Sequence, residues 1–145
     1  MANEPKAVVE RFFYEAINDR KLEILAEILS PNFRGNILEY EQTWNTREEI
    51  TEMLGNVFVA FPDYHQVIHD WIVQGEKVVA RWTTTGTHLG PYNGIAPTGK
   101  VIHEHGIDIF QVVEGQIVAH WVELDLLGIF RQMDAVTVHR NAVAS

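Results

Sequence analysis

Apolar residues recur at helical spacing through the first third of the chain and at strand spacing afterwards. Val8, Val9, Phe12, Phe13, Ala16 and Ile17 make one helical stripe, closed by Asn18-Asp19. Leu22, Leu25, Ile28 and Leu29 predict a second, short helix that Ser30-Pro31 stops. Thr46, followed three residues on by Glu49, is a capping box, and Ile50, Met53, Leu54, Val57 and Phe58 give the face of a third helix. Phe61-Pro62-Asp63 ends it. From Tyr64 the period changes. Residues 64–73 and 78–87 read as strands joined at Gln74-Gly75-Glu76-Lys77, and residues 101–113 and 116–124 as a second hairpin about Glu114-Gly115. The Gly- and Pro-rich stretch 86–100 is an ordered loop or a broken strand pair, residues 126–133 a closing helical turn, and residues 134–145 a loose tail. Without repeat or linker, residues 1–145 read as one α+β domain, its N-terminal helices packed on the concave face of a strongly curved antiparallel sheet.

A bent sheet closed by helices is a cone with an open mouth, a pocket for one small molecule. Phe12, Trp44, Phe58, Trp71, Trp82, Tyr92, Phe110 and Trp121 are spread over the elements that would line it, and each could equally be core.

A two-residue turn at Glu114-Gly115 puts Val113 opposite Gln116, and counting back from it pairs Phe110 with Ala119, Asp108 with Trp121, Gly106 with Glu123 and Glu104 with Asp125, which share one side of the sheet. The other side then carries His103, His105, Ile107, Ile109, Val118, His120 and Val122. Both sides are partly apolar, which predicts a sheet covered twice: by its own helices and by a partner subunit. Asp108, between two isoleucines and opposite a tryptophan, has the desolvated setting that general acid/base chemistry near neutral pH requires; an Asp satisfied by a neighbouring strand, a His or Arg81 is the structural alternative. Asp125, at the end of the last strand, either projects into the pocket mouth or caps the helix that starts at Leu126. His103, His105 and His120 share a face, but no carboxylate joins them at a ligand-like spacing, so no metal site is expected.

Composition narrows the classes. The 145 residues hold 11 Lys and Arg against 20 Asp and Glu, a formal net charge of -9, with no basic cluster for a phosphate backbone. Zero cysteines exclude disulfides, thiolate zinc sites and a cysteine nucleophile. No apolar run approaches the ~20 residues of a membrane span, and no secretory leader is recognisable. A cytoplasmic protein is expected, with no nucleic-acid or membrane partner. There is no nucleophile elbow, P-loop or dinucleotide fingerprint, since the glycines of 86–99 precede a strand and not a helix.

The stretches GTHLGPYNGIAPTGK and GIDIFQVVEGQIVAHWVELDLLGIFRQM, with FPDY at 61–64 and ARWTTTGTH at 80–88, resemble the SnoaL-like polyketide cyclase family of the NTF2-like superfamily. The resemblance spans nearly the whole chain and is most specific at His120-Trp121, Asp125, Gly128 and Gln132. It implies the NTF2-like cone and cofactor-independent acid/base chemistry, an intramolecular aldol-type cyclisation or related proton transfer, on a small hydrophobic carbonyl compound. It also implies an aspartate assisted by a histidine. Aligned on Glu114-Gly115, the strand position of the cyclases' histidine holds Asp108, and that of their aspartate falls near Val122, so the pair is not reproduced position for position. Relatives of the same fold act as hydroxylases, epoxide hydrolases or isomerases.

The expected acid/base groups are therefore Asp125, foremost, and Asp108, with His88 (of the GTH motif) and His120 as orienting donors. Trp82, Phe110, Trp121, Tyr92, Phe12 and Phe58 would line the pocket, and Arg81 would anchor substrate or pair with a carboxylate. No cofactor is expected, and the assembly is a homodimer or homotetramer. The alternatives are an epoxide-hydrolase-like enzyme, in which Arg81 would lie within reach of Asp108, an isomerase, and a non-catalytic ligand- or protein-binding module.

Overall fold

The computed structural model describes residues 4–37 and 44–139. Helix α1, Pro5–Glu10, runs directly into a π-helical stretch, Arg11–Asn18, and buries the stripe Val8, Val9, Phe12, Phe13, Ala16 and Ile17. A 3₁₀ turn, Leu22–Ile24, leads to the short α2, Leu25–Ile28. The chain then enters strand β1, Leu29–Ile37, which the sequence reading lacks. Its inward positions Phe33, Gly35 and Ile37 do alternate, but Pro31 and the four polar residues Ser30, Asn32, Arg34 and Asn36 hide the strand pattern. Pro31 is tolerated because β1 is an edge strand.

Helix α3, Arg47–Ala60, starts at the expected cap, the Thr46 hydroxyl accepting the Glu49 N–H at 3.3 Å. Strands β2, His65–Gln74, β3, Lys77–Thr87, β4, Val101–Val113, and β5, Gln116–Leu124, follow, then helix α4, Leu126–Gln132. The sheet order is β1-β5-β4-β3-β2, antiparallel throughout except that β1 runs parallel to β5. The expected all-antiparallel sheet is thus a mixed one, because β1 arrives through α2 and not through a hairpin.

One face of the sheet carries Val78, Ala80, Trp82, Phe110, Val112 and Ile117, packed against α1 and α3 as the main core. A second cluster, Ala60, Phe61, Tyr92, Ile102, Ile129 and Met133, closes the end near α4. The loop after β3 is fixed to α3, with the Leu89 and Gly90 N–H groups donating to the Ala60 carbonyl at 2.9 and 3.1 Å. A Cβ on Gly90 would sit 2.4 Å from the Val59 carbonyl oxygen, so this approach requires glycine. Asp63 accepts from the Thr87 N–H at 2.6 Å and the Thr87 hydroxyl at 2.7 Å, which hold its carboxyl below the usual carboxylate range. No helix among the described residues is long and apolar enough to cross a membrane.

Candidate functional site

The helix-covered face of the sheet bounds a cavity of about 640 Å³, counting the space at its open mouth. Its walls are mostly apolar, with Phe12 and Ile17 from the first helix and Ile50, Met53, Leu54 and Val57 from α3. The polar groups come from the sheet and its approaches: Gln66, Glu104, Asp108 and His120, with Tyr64 and Tyr92.

The geometry of this site depends on one extra residue. Glu114 and Gly115 both have positive φ, 50° and 79°, as a tight hairpin turn requires, and Val113 faces Gln116 as counted. Val112 then faces Ile117 but Gln111 faces Ala119, so Val118 forms a bulge. Every later pairing moves by one: Phe110 meets His120, Asp108 meets Val122 and Gly106 meets Leu124. A slip of one exchanges the faces of β5. His120 therefore leaves the side of His103 and His105 and joins Asp108, correcting the sequence-derived register. Trp121 goes the other way, opposite Ile109, half-buried beside Trp44 with the Lys77 ammonium 4.2 Å above its ring.

Asp108 and His120 are 4% and 3% exposed. One Asp108 oxygen, Oδ1, accepts the Trp82 Nε1–H at 2.9 Å, and Oδ2 lies 2.9 Å from His120 Nε2. An ionised carboxylate only accepts hydrogen bonds, so with Asp108 ionised the His120 proton sits on Nε2. His120 Nδ1 is buried and has no hydrogen-bond partner. The imidazole is stacked on Phe110, centroids 4.2 Å apart and planes 11° from parallel, with the edge of Phe12 at 5.4 Å. Trp82 can lie across β4 because residue 106 is glycine; a Cβ there would be 2.5 Å from Trp82 Cζ2.

The other expected residues fall differently. Asp125 takes the capping alternative, accepting the Gly128 N–H at 3.0 Å, and its carboxylate is 41% exposed with His105 Nε2 at 3.5 Å; it is not among the cavity-lining groups. Arg81 lies on the opposite face from Asp108, exposed and 2.5 Å from Asp70, so the Asp108–Arg81 contact of the epoxide-hydrolase alternative is not formed. His88 is fully buried behind the cavity wall, its Nδ1 bonded to the Thr98 N–H (3.2 Å) and near the Thr98 hydroxyl (3.0 Å), its ring against Phe61. Burial lowers its pKa below the ordinary imidazole value. Trp82, Tyr92 and Phe12 line the cavity; Phe110 lies beneath His120, and Phe58 stacks under the Arg20 guanidinium outside it. Gln66, Tyr64 and Glu104 were not anticipated. Glu104 alone carried a signal, sharing the parity of Asp108 on β4. Among the described residues no group of three or more His, Asp or Glu is placed to hold a metal ion.

The sequence matches the family model described as SnoaL-like polyketide cyclase over residues 7–133. Among solved structures, a proposed SnoaL-like polyketide cyclase from Jannaschia sp. CCS1 is 25% identical, with 92% of this chain and 93% of that one covered and a TM-score of 0.82. TsrD from Streptomyces laurentii is 30% identical over 90% of this chain and 95% of its own, TM-score 0.79. AclR, a proposed hydroxylase from Streptomyces galilaeus, is similar in fold at 22% identity, with 95% of this chain and 89% of that one covered, TM-score 0.82. No curated protein matches the chain.

Proposed function

Because the chain belongs to the SnoaL-like polyketide cyclase family, as the match over residues 7–133 establishes, we propose that it catalyses proton transfer on a small hydrophobic carbonyl compound, with Asp108 and His120 as the acid/base pair. The observation that carries this reading is the 2.9 Å contact between Asp108 Oδ2 and His120 Nε2 at the wall of an apolar cavity. The resemblance implies a histidine on the first strand of this hairpin and an aspartate on the second. Here the aspartate is on β4 and the histidine on β5, so the two side chains have exchanged strands.

The substrate that suits this pair has a methylene flanked by two carbonyls, acidic enough for one imidazole to deprotonate. Asp108 fixes the His120 tautomer and stabilises the imidazolium as it forms, while Trp82 holds the second carboxylate oxygen. His120 Nδ1, free of any partner, accepts the proton. The enolate is delocalised over the substrate's own carbonyls. In a cyclisation its carbon attacks a second carbonyl of the same molecule, and the imidazolium returns the proton to the new alkoxide. The apolar walls orient the chain and exclude water, which is most of what such a reaction asks of a protein. No cofactor enters this scheme. We also read the open sheet face bearing the exposed Ile107 and Ile109 as covered by a second copy, which sedimentation velocity would test by the mass in solution.

NMR-followed deuterium exchange at the activated methylene of tricyclic 1,3-dicarbonyl probes tests the chemistry. Acceleration by the wild type that is lost in both Asp108→Asn and His120→Gln is the expected result. Probes that bind without accelerated exchange would replace the enzyme with a binding module.

A further inference from the structure

We propose that Gln66 and Thr84 form a second polar subsite of the cavity, which takes a hydroxyl group carried by the ligand at the end remote from the proton-transfer site. The two residues face each other directly across β2 and β3, and Thr84 in turn faces Glu104 across β3 and β4. They make a polar row over three strands on the helix-covered face. Gln66 and Thr84 are 4% and 3% exposed, yet Gln66 Oε1 and Thr84 Oγ1 are buried without a hydrogen-bond partner. An unsatisfied buried polar atom costs free energy, so two side by side need an occupant that restores their bonds.

The space for that occupant is present. Gln66 lines the main cavity, and Thr84 lines a small adjoining recess, open to solvent and sized for a single hydroxyl group, that shares Phe61, Tyr64 and Glu104 with it. A hydroxyl suits the pair because it both donates and accepts: the Gln66 amide oxygen takes its proton while the Thr84 hydroxyl donates to its oxygen. Glu104 and Asp108 are four residues apart on β4, which sets the two polar sites about 13 Å apart along the strand. This separation fits a fused-ring ligand with its acidic C–H, flanked by two carbonyls, at Asp108–His120 and a hydroxyl on its distal ring. The inference rests on the proton-transfer reading only for that orientation; the preference for a hydroxyl stands on the two orphaned oxygens.

The test uses two tricyclic probes, 2-acetyl-3,4-dihydroanthracen-1(2H)-one and its analogue with a hydroxyl on the distal ring. Their dissociation constants are measured by tryptophan fluorescence with the full-length wild type, Thr84→Val, Thr84→Ser and Gln66→Met. The hydroxylated probe should bind the wild type about fivefold more tightly, the size of one or two net hydrogen bonds. That ratio should fall toward one in Thr84→Val and Gln66→Met and persist in Thr84→Ser, which also guards against a misfolded variant. Equal affinities in the wild type, no binding of the hydroxylated probe, or a ratio unmoved by Thr84→Val and Gln66→Met would each overturn the subsite, the last two oxygens then being served by water. Deuterium exchange is recorded on the same samples. A preserved affinity ratio without accelerated exchange removes the proton-transfer reading and leaves the subsite standing; accelerated exchange without a ratio does the reverse.

Discussion

The β4–β5 hairpin and its exit carry two carboxylate–histidine pairs, and they could hardly be less alike. Asp108 and His120 are 2.9 Å apart with side chains 5% and 4% exposed, whereas Asp125 and His105 are 3.5 Å apart at 41% and 71%. Water screens the outer pair, and such exposed pairs contribute only ~0–1 kcal/mol. Its carboxylate is already committed to the Gly128 N–H, at the start of α4. The inner pair is desolvated and leaves an imidazole nitrogen unpartnered beside an apolar cavity. The residue types are the same in both places. Enclosure is what distinguishes a site from a cap.

The contrast is broken most directly by neutralising each carboxylate in turn. Asp108→Asn and His120→Gln should each lower the exchange rate of a 1,3-dicarbonyl probe by about 10²–10⁴-fold, the range of a lost acid/base group. The double variant should be little worse than either single one, since groups that act as a unit are not additive. Asp125→Asn should stay close to the wild type. An Asp125→Asn rate as low as that of Asp108→Asn would erase the distinction between the two regions.

Each region also depends on a glycine at a close approach. A Cβ on Gly106 would stand 2.5 Å from Trp82 Cζ2 and 2.7 Å from the Glu123 carbonyl oxygen; one on Gly128 would stand 2.2 Å from Asp125 Oδ2. Gly106→Ala forces the indole off the Asp108 oxygen, so it should cost about 1–3 kcal/mol of stability and reduce exchange as well. Denaturation followed by tryptophan emission, beside the exchange assay, reads both effects. Retained activity in Gly106→Ala would mean that Trp82 does not position Asp108. At the outer site, Asp125→Ala should remove only the cap, about 1 kcal/mol in a urea titration, with exchange unaffected in the folded protein.

These contrasts also mark how far the sequence could be read. Four of the five strands were legible because hydrophobic alternation and a turn bounded each one, and α3 because Thr46 and Glu49 mark its start. β1 was hidden: Pro31 and scattered polar residues are admissible only on an edge strand, and its parallel partner is some ninety residues away in the chain. The bulge at Val118 had no sequence signal at all. Its consequence is large, because moving one residue transfers His120 into the cavity and Trp121 out of it. Asp108 was identified from its apolar neighbours alone, but its partner could be found only once the register was known. Gln66 and Thr84 passed as ordinary strand residues, since nothing local says that their polar atoms are buried.

The smallest expected effect concerns His88, which lies between the two regions in character: buried like His120, yet engaged with its own loop. Burial depresses its pKa, so the folded protein keeps it neutral while the unfolded chain protonates it near the ordinary imidazole value of about 6.5. Between those two values the unfolded state binds more protons, and stability falls as pH falls. Above pH 7 this contribution is fully present; it declines through pH 6.5 and below. His88→Gln lacks a titrating group, so its urea midpoint, lower than that of the wild type at pH 8, should draw closer to it by pH 5.5. Midpoint curves that run parallel across this range would show that His88 is protonated as readily in the fold as outside it. In that case the Thr98 contacts, and not desolvation, would be its whole contribution to holding the loop against Phe61 and Tyr92.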